Sequence, residues 1–127
     1  MGLRILIVDD APLVRTGLRL LVERNKDWKV CGEAQDGMEA VEKAAELEPD
    51  LVLLDISMPR MNGLTAAPLI LKKVPQAKII ILTLDPSAEL ARAATAVGAS
   101  GFVPKAMATS QLAPTIEAIE AAGRHAA

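Results

Sequence analysis

Aromatic residues are almost missing from this sequence: Trp28 and Phe102 are the only two, and there is no tyrosine. A core must therefore be built from Leu, Ile, Val and Ala, and the stacking platforms on which single-stranded nucleic acids rest are lacking. Cysteine is reduced to Cys31. One thiol makes no internal disulfide, which points to a reducing compartment. No apolar run approaches the ~20 residues of a membrane span. The opening Met-Gly-Leu-Arg leads straight into an apolar stretch, without the layout of a signal peptide. The expectation is a cytoplasmic protein with no membrane contact. Positive charge is not in excess either: 14 Lys and Arg face 16 Asp and Glu, a net charge of −2, with no dense basic run. Direct contact with nucleic acid is not expected of such a chain. Neither Gly-x-Gly-x-x-Gly nor the P-loop pattern occurs, which counts against a flavin or dinucleotide carrier.

What is present is apolar material in short, regular blocks. The 127 residues suit one domain, and 51% of them are hydrophobic. Leu3–Val8, Trp28–Ala34, Leu51–Leu54, Lys78–Leu82 and Gly101–Val103 read as strands, most of them continuous apolar runs of the kind buried on both faces. Between and after them, Leu13–Glu23, Gly37–Leu47, Gly63–Lys73, Ser87–Val97 and Thr109–Ala122 carry helical spacing. Gly98 is placed to cap the fourth helix, and Gly123 to stop the fifth, leaving 123–127 as a tail. Pro68 and Pro114 are expected near helix starts, where the N–H they lack has no partner anyway. Strand and helix alternate five times. That pattern predicts an α/β domain: a doubly wound, five-stranded parallel sheet with five helices on its two faces.

In such sheets the carboxyl ends of the strands carry the ligand site. Strand 1 ends at Asp9 and Asp10, strand 3 at Asp55 and strand 4 at Thr83, while Lys105 lies just past strand 5. Two unit charges ~5 Å apart at an effective dielectric of ~20 repel by roughly 3 kcal/mol. Three carboxylates on one rim therefore call for cations. A hard divalent ion such as Mg²⁺ suits their oxygens, and Lys105 adds a fixed positive charge. An ionised Asp in such a place can attack phosphorus, as aspartyl-phosphate enzymes do, and the Thr83 hydroxyl can donate to a phosphoryl oxygen. Taken singly, Asp9-Asp10 reads equally well as a helix cap, Thr83 as an ordinary strand-end residue, Lys105 as a solvated lysine and Phe102 as core.

Taken together, Ile7-Val8-Asp9-Asp10, the run Asp55-Ile-Ser-Met-Pro59-Arg-Met-Asn-Gly63, Thr83 and Lys105 resemble the receiver domain of bacterial two-component response regulators. The likeness covers essentially the whole chain. The segments Leu13–Glu23, Val30–Val41 and Gly98–Phe102 look like receivers of the NarL/FixJ type. This resemblance implies a flavodoxin-like sheet of order 2-1-3-4-5 and a receiver domain over residues 1–122. It implies Asp55 as the phosphorylation site, with phosphate supplied by a histidine kinase. Asp10 would bind Mg²⁺ directly, Asp9 largely through water, Asp55 as the third acid and Ser57 through its carbonyl. Lys105 would contact the phosphoryl group, and Thr83 and Phe102 would form the switch. The surface around Glu89 to Ala122 would then pair with itself or with an output domain. NarL/FixJ-type regulators continue into a helix-turn-helix domain, so the resemblance favours a fragment of a DNA-binding regulator.

Some positions depart from the family pattern. Pro104 precedes Lys105 where the family often has a proline after it. The family's peptide after this lysine is usually cis, which here would be a Lys105–Ala106 bond costing ~2.5–4 kcal/mol. Leu84 stands where a small residue is frequent and is expected to slow phosphoryl exchange. Two other functions compete. A phosphatase of the haloacid-dehalogenase type would want Asp-x-Asp at strand 1 and a cap domain; here the strand ends Asp-Asp and no cap is visible. A degenerate receiver would bind partners without phosphorylation, but all five core residues are present. The reading is a phosphoacceptor switch rather than an enzyme.

Overall fold

A computed structural model describes residues 2–126, with side-chain surroundings described through Gly123. Five strands, β1 (Leu3–Val8), β2 (Trp28–Ala34), β3 (Leu51–Asp55), β4 (Lys78–Thr83) and β5 (Gly101–Pro104), form one sheet in the order β2-β1-β3-β4-β5. Every pairing is parallel. Five helices connect or follow them: α1 (Pro12–Val22), α2 (Gly37–Leu47), α3 (Gly63–Lys73), α4 (Ala88–Ala96) and α5 (Ala108–Ala126). A single 3₁₀ turn, Lys105–Met107, leads into α5.

The continuous apolar runs make sense once both faces of the sheet are seen. Along β1, Ile5 and Ile7 join the cluster that receives α1 through Leu18 and Val22 and α5 through Leu112 and Ile116. Their neighbours Leu6 and Val8 join the opposite cluster, with Ala40 and Ala44 of α2, Ala66, Ala67 and Ile70 of α3 and Ala94 of α4. β3 and β4 divide in the same alternating way. A strand covered on both faces needs apolar residues at every position, so period-2 patterning is replaced by unbroken runs. Alanines on α2 and α3 keep those helices close to the sheet without aromatic filler. Among the described residues no helix is long and apolar enough to cross a membrane.

Several expectations need correction. No cis peptide occurs among the described residues, so the Lys105–Ala106 bond is trans. With proline before the lysine rather than after it, nothing lowers the cost of a cis bond there, and the chain enters its 3₁₀ turn at Lys105 directly. Pro68 and Pro114 lie inside α3 and α5, beyond the first turn of each. Both side chains are exposed, and α3 carries Pro68 at the cost of the bond its N–H would give to the Leu64 carbonyl. Gly123 does not stop α5, which runs on to Ala126. A glycine inside a helix costs only ~1 kcal/mol relative to alanine. The His125 side chain lies outside the described residues. Pro104 is tolerated as expected, because β5 is an edge strand and pairs there with Thr83 of β4 alone.

Candidate phosphoryl and metal site

β1 leads one way to β2 and β3 starts on its other side, so the connections diverge between β1 and β3. The crevice at such a switch point opens above the strands' carboxyl ends. Asp9 follows β1, and Asp55 ends β3. Both are buried, at 0% and 2% exposure, while Asp10 faces solvent. The three carboxylates offer oxygen atoms within 4.8 Å of one another. From the 3₁₀ turn after β5, Lys105 reaches across, its Nζ 2.7 Å from Asp9 Oδ2 and 3.1 Å from Asp55 Oδ1. The cleft above them encloses about 570 Å³ and is lined also by Ser57, Thr83, Leu84 and Leu90.

The electrostatics follow from burial. Loss of water, reinforced by the Asp9 charge, pushes the Asp55 carboxyl above its ordinary value, against the pull of Lys105. Burial alone would depress Lys105, but its close contacts with the Asp9 and Asp55 carboxylates outweigh it and raise the ammonium. Asp9 Oδ1 accepts from the Ala11 N–H at 2.9 Å. The same residue's Oδ2 is buried and makes no hydrogen bond of good geometry, so the Lys105 contact is its sole compensation. A buried carboxylate oxygen left in that state, beside two further acids, is a place for a cation. Hard oxygen donors suit Mg²⁺, which keeps several waters and takes few protein carboxylates. The donor set therefore fits a divalent ion.

Each remaining residue has a definite local role. Asp9 and Asp10 are not the cap of α1: that position belongs to Ala11, with Pro12 as first helical residue and no side-chain cap. The Ser57 N–H donates to Asp55 Oδ1 at 3.3 Å, and Ser57 itself is exposed at the cleft. Thr83 is buried, and its Oγ accepts from the Asp85 N–H at 3.0 Å, so the hydroxyl is engaged with the loop after β4. Leu84 is 81% exposed on the rim. Phe102 is half-buried, paired with Ile81 across β4–β5 and packed on the α2–α4 side of the core. Met58 and Met61, in the loop after β3, pack on that same side.

Two features of the loop after β3 went unread in the sequence. Gly63 donates to the Ile56 carbonyl at 3.0 Å, and a Cβ there would lie 2.4 Å from the Asp55 carbonyl oxygen. Arg60 adopts the left-handed region at φ 65°. Its guanidinium grips Asp36 with two hydrogen bonds, of 2.8 and 3.0 Å, while Asp36 caps α2 through the Glu39 N–H. The hydrogen bond from Arg60 holds the Asp36 carboxyl below its ordinary range. A residue count predicts neither, since Asp36 and Arg60 are far apart along the chain.

Residues 5–117 match the family described as Response regulator receiver domain. Chemotaxis protein CheY of Thermotoga maritima is 40% identical over 119 residues, covering 94% of this chain and 98% of that protein. Transcriptional regulatory protein LnrK of Bacillus subtilis is 37% identical over 121 residues, covering 95% of this chain and 55% of its own. Protein-glutamate methylesterase/protein-glutamine glutaminase of Pyrococcus abyssi is 43% identical over 81% of this chain, which spans only 28% of that protein. Among solved structures, a LuxR-family two-component response regulator from Aurantimonas sp. SI85-9A1 superposes with a TM-score of 0.91 at 38% identity, covering 96% of this chain and 87% of the other.

Proposed function

Because the chain belongs to the response regulator receiver family, whose general role is to accept a phosphoryl group, we propose that it is a two-component switch with Asp55 as acceptor. One observation carries the reading: a buried carboxylate at the end of β3 lies 3.1 Å from a lysine ammonium, with two more acids alongside. In the transfer, an Asp55 oxygen bonds to phosphorus as the bond to the donor breaks, and the bonding pair leaves with the donor. For a histidine kinase that leaving group is an imidazole. Lys105 neutralises charge on the incoming phosphoryl oxygens. Asp10, Asp9, Asp55 and the Ser57 carbonyl would hold Mg²⁺, which supplies further neutralisation of those oxygens. Thr83 would exchange its Asp85 contact for a phosphoryl oxygen. Phe102, half-buried beside it on the next strand, would follow inward. The result is a population shift between two states of the surface formed by α4, β5 and α5.

The finer assignment is a NarL/FixJ-type receiver that drives transcription through a helix-turn-helix domain lying outside this chain. The match to LnrK, of which this chain spans about half, supports that reading. Residues 1–122 would be the receiver, and 123–127, into which α5 continues as far as Ala126, a C-terminal tail or the start of a linker. The switched surface would pair with a second copy or with the output domain, and the chain would work in the cytoplasm. It is a phosphoacceptor that assists its own transfer, not an enzyme acting on a separate substrate.

The test is incubation with Mg²⁺ and acetyl phosphate, read by intact mass, beside Asp55→Asn. A phospho-form that needs Mg²⁺ and vanishes in the variant is expected. Phosphorylation that survives Asp55→Asn would overturn the acceptor assignment. A folded, Mg²⁺-binding chain that takes no phosphate even from a histidine kinase would favour a receiver that signals without phosphorylation.

A further inference from the structure

The Asp9 carbonyl belongs to the peptide that joins the two acids after β1. Arg15, one turn into α1, donates from Nη1 to that carbonyl at 2.6 Å. Its Nε donates to Glu33 Oε1 at 2.8 Å, and the side chain is only 16% exposed. Glu33, on β2, is gripped from its other oxygen by Arg19, with bonds of 3.1 and 2.8 Å. An ion pair that merely tied α1 to β2 would be complete with Arg19 and Glu33. The bond to the Asp9 carbonyl goes further. The Asp9 N–H is already tied to the Ala34 carbonyl at 3.1 Å, and its side chain to the Ala11 N–H. Asp10 is exposed and inherits its direction from the peptide plane before it.

We propose that Arg15, braced by Glu33, is a positioning residue of the acidic site: it fixes the Asp9–Asp10 peptide so that both carboxylates converge on the cation beside Asp55. The proposal rests on the Mg²⁺ reading given above. A planar guanidinium is required, because one group must donate in two directions at once, toward a carboxylate and toward a carbonyl. A lysine ammonium on its flexible stem keeps the charge but not that fork.

The experiment compares Arg15→Lys with Arg19→Lys in the full chain. Each replacement keeps its charge and loses a guanidinium contact to Glu33, but only the first loses the bond to the Asp9 carbonyl. Two readouts are taken: Mg²⁺ titration by calorimetry, and the backbone amide spectrum without metal, whose dispersion also establishes that each variant is folded. Groups that orient metal ligands typically change affinity by about tenfold or more when removed. Arg15→Lys should raise the half-saturating Mg²⁺ concentration by about that factor and shift the Asp10 amide, while Arg19→Lys leaves both near wild type. Equal behaviour of the two variants would reduce Arg15 to a tie between α1 and β2 and overturn the proposal. A wild-type chain that binds no Mg²⁺ would overturn the metal reading itself, and that result is seen before any variant is compared.

Discussion

At Gly63 the loop after β3 folds back so closely that no side chain fits. The atom a Cβ would strike is the main-chain oxygen of Asp55, which cannot rotate away as a side-chain tip could. Gly63→Ala is therefore expected to lose about 1–3 kcal/mol and to slow phosphorylation, because the displaced strand end carries Asp55, the proposed acceptor. Gly17, on the exposed face of α1, has open space around it. Gly17→Ala should instead gain roughly 0.5–1 kcal/mol. Urea unfolding of the pair separates the cost of crowding from the general helix preference for alanine, and equal effects would sink the argument. Asp55 supplies a second contrast. Burial and the Asp9 charge make its ionised form unfavourable in the folded chain, more than Lys105 makes up. In metal-free buffer at pH 7, Asp55→Asn should melt at a higher temperature than wild type. Adding Mg²⁺ should raise the melting point of wild type more than that of the variant, because binding stabilises the state that binds.

Among the elements, those with sharp signals at both ends were legible. α2 opens at Gly37 after a capping Asp36, and α3 at Gly63 after Asn62, whose side chain accepts from the Thr65 N–H. The buried strands announced themselves by unbroken apolar runs. What the local pattern misjudged were the prolines and glycine within helices, because there the tertiary packing of α3 and α5 outweighs propensity. Ala66, Ala67 and Ile70 bury around Pro68, as Leu112 and Ile116 do around Pro114. Pro68 remains a local defect, and its ring is exposed. Pro68→Ala restores the bond to the Leu64 carbonyl but also frees the unfolded chain, an opposing effect of about 0.4–1 kcal/mol. Against an interior proline cost of ~3 kcal/mol, the net expectation is a gain of about 2–2.6 kcal/mol. Thermal melting checks it, and a loss would show that α3 is bent to a purpose.

Across the whole molecule, the acids at strand ends were visible in the sequence because each follows an apolar run, and the parallel order sends every such end to one rim. The two ion-pair clasps beside that rim were not. Arg15 and Arg19 meet Glu33, and Arg60 meets Asp36, only after the sheet has formed; no local pattern marks one partner for the other. Those clasps are expected to make the fold sensitive to acid. Glu33 is held below its ordinary 4.5, first by the Arg19 hydrogen bond, and Asp36 below 3.8 by Arg60. A lowered folded value means that the stabilisation is complete above the ordinary value and is lost as pH falls through the folded one. Asp55 has the opposite sign: its folded value is raised, so the folded chain gains as Asp55 takes up a proton and loses that gain as pH rises through the raised value. Without metal, melting temperature should therefore gain from Asp55 as pH falls through its raised value, and lose the clasps' contribution as pH falls below their ordinary values, 4.5 for Glu33 and 3.8 for Asp36. Asp55→Asn should abolish the gain and leave the loss. Glu33→Gln with Asp36→Asn should flatten the loss and leave the gain. An acid limb unchanged in that double variant would mean that other carboxylates, not these two clasps, set the lower pH limit of the fold.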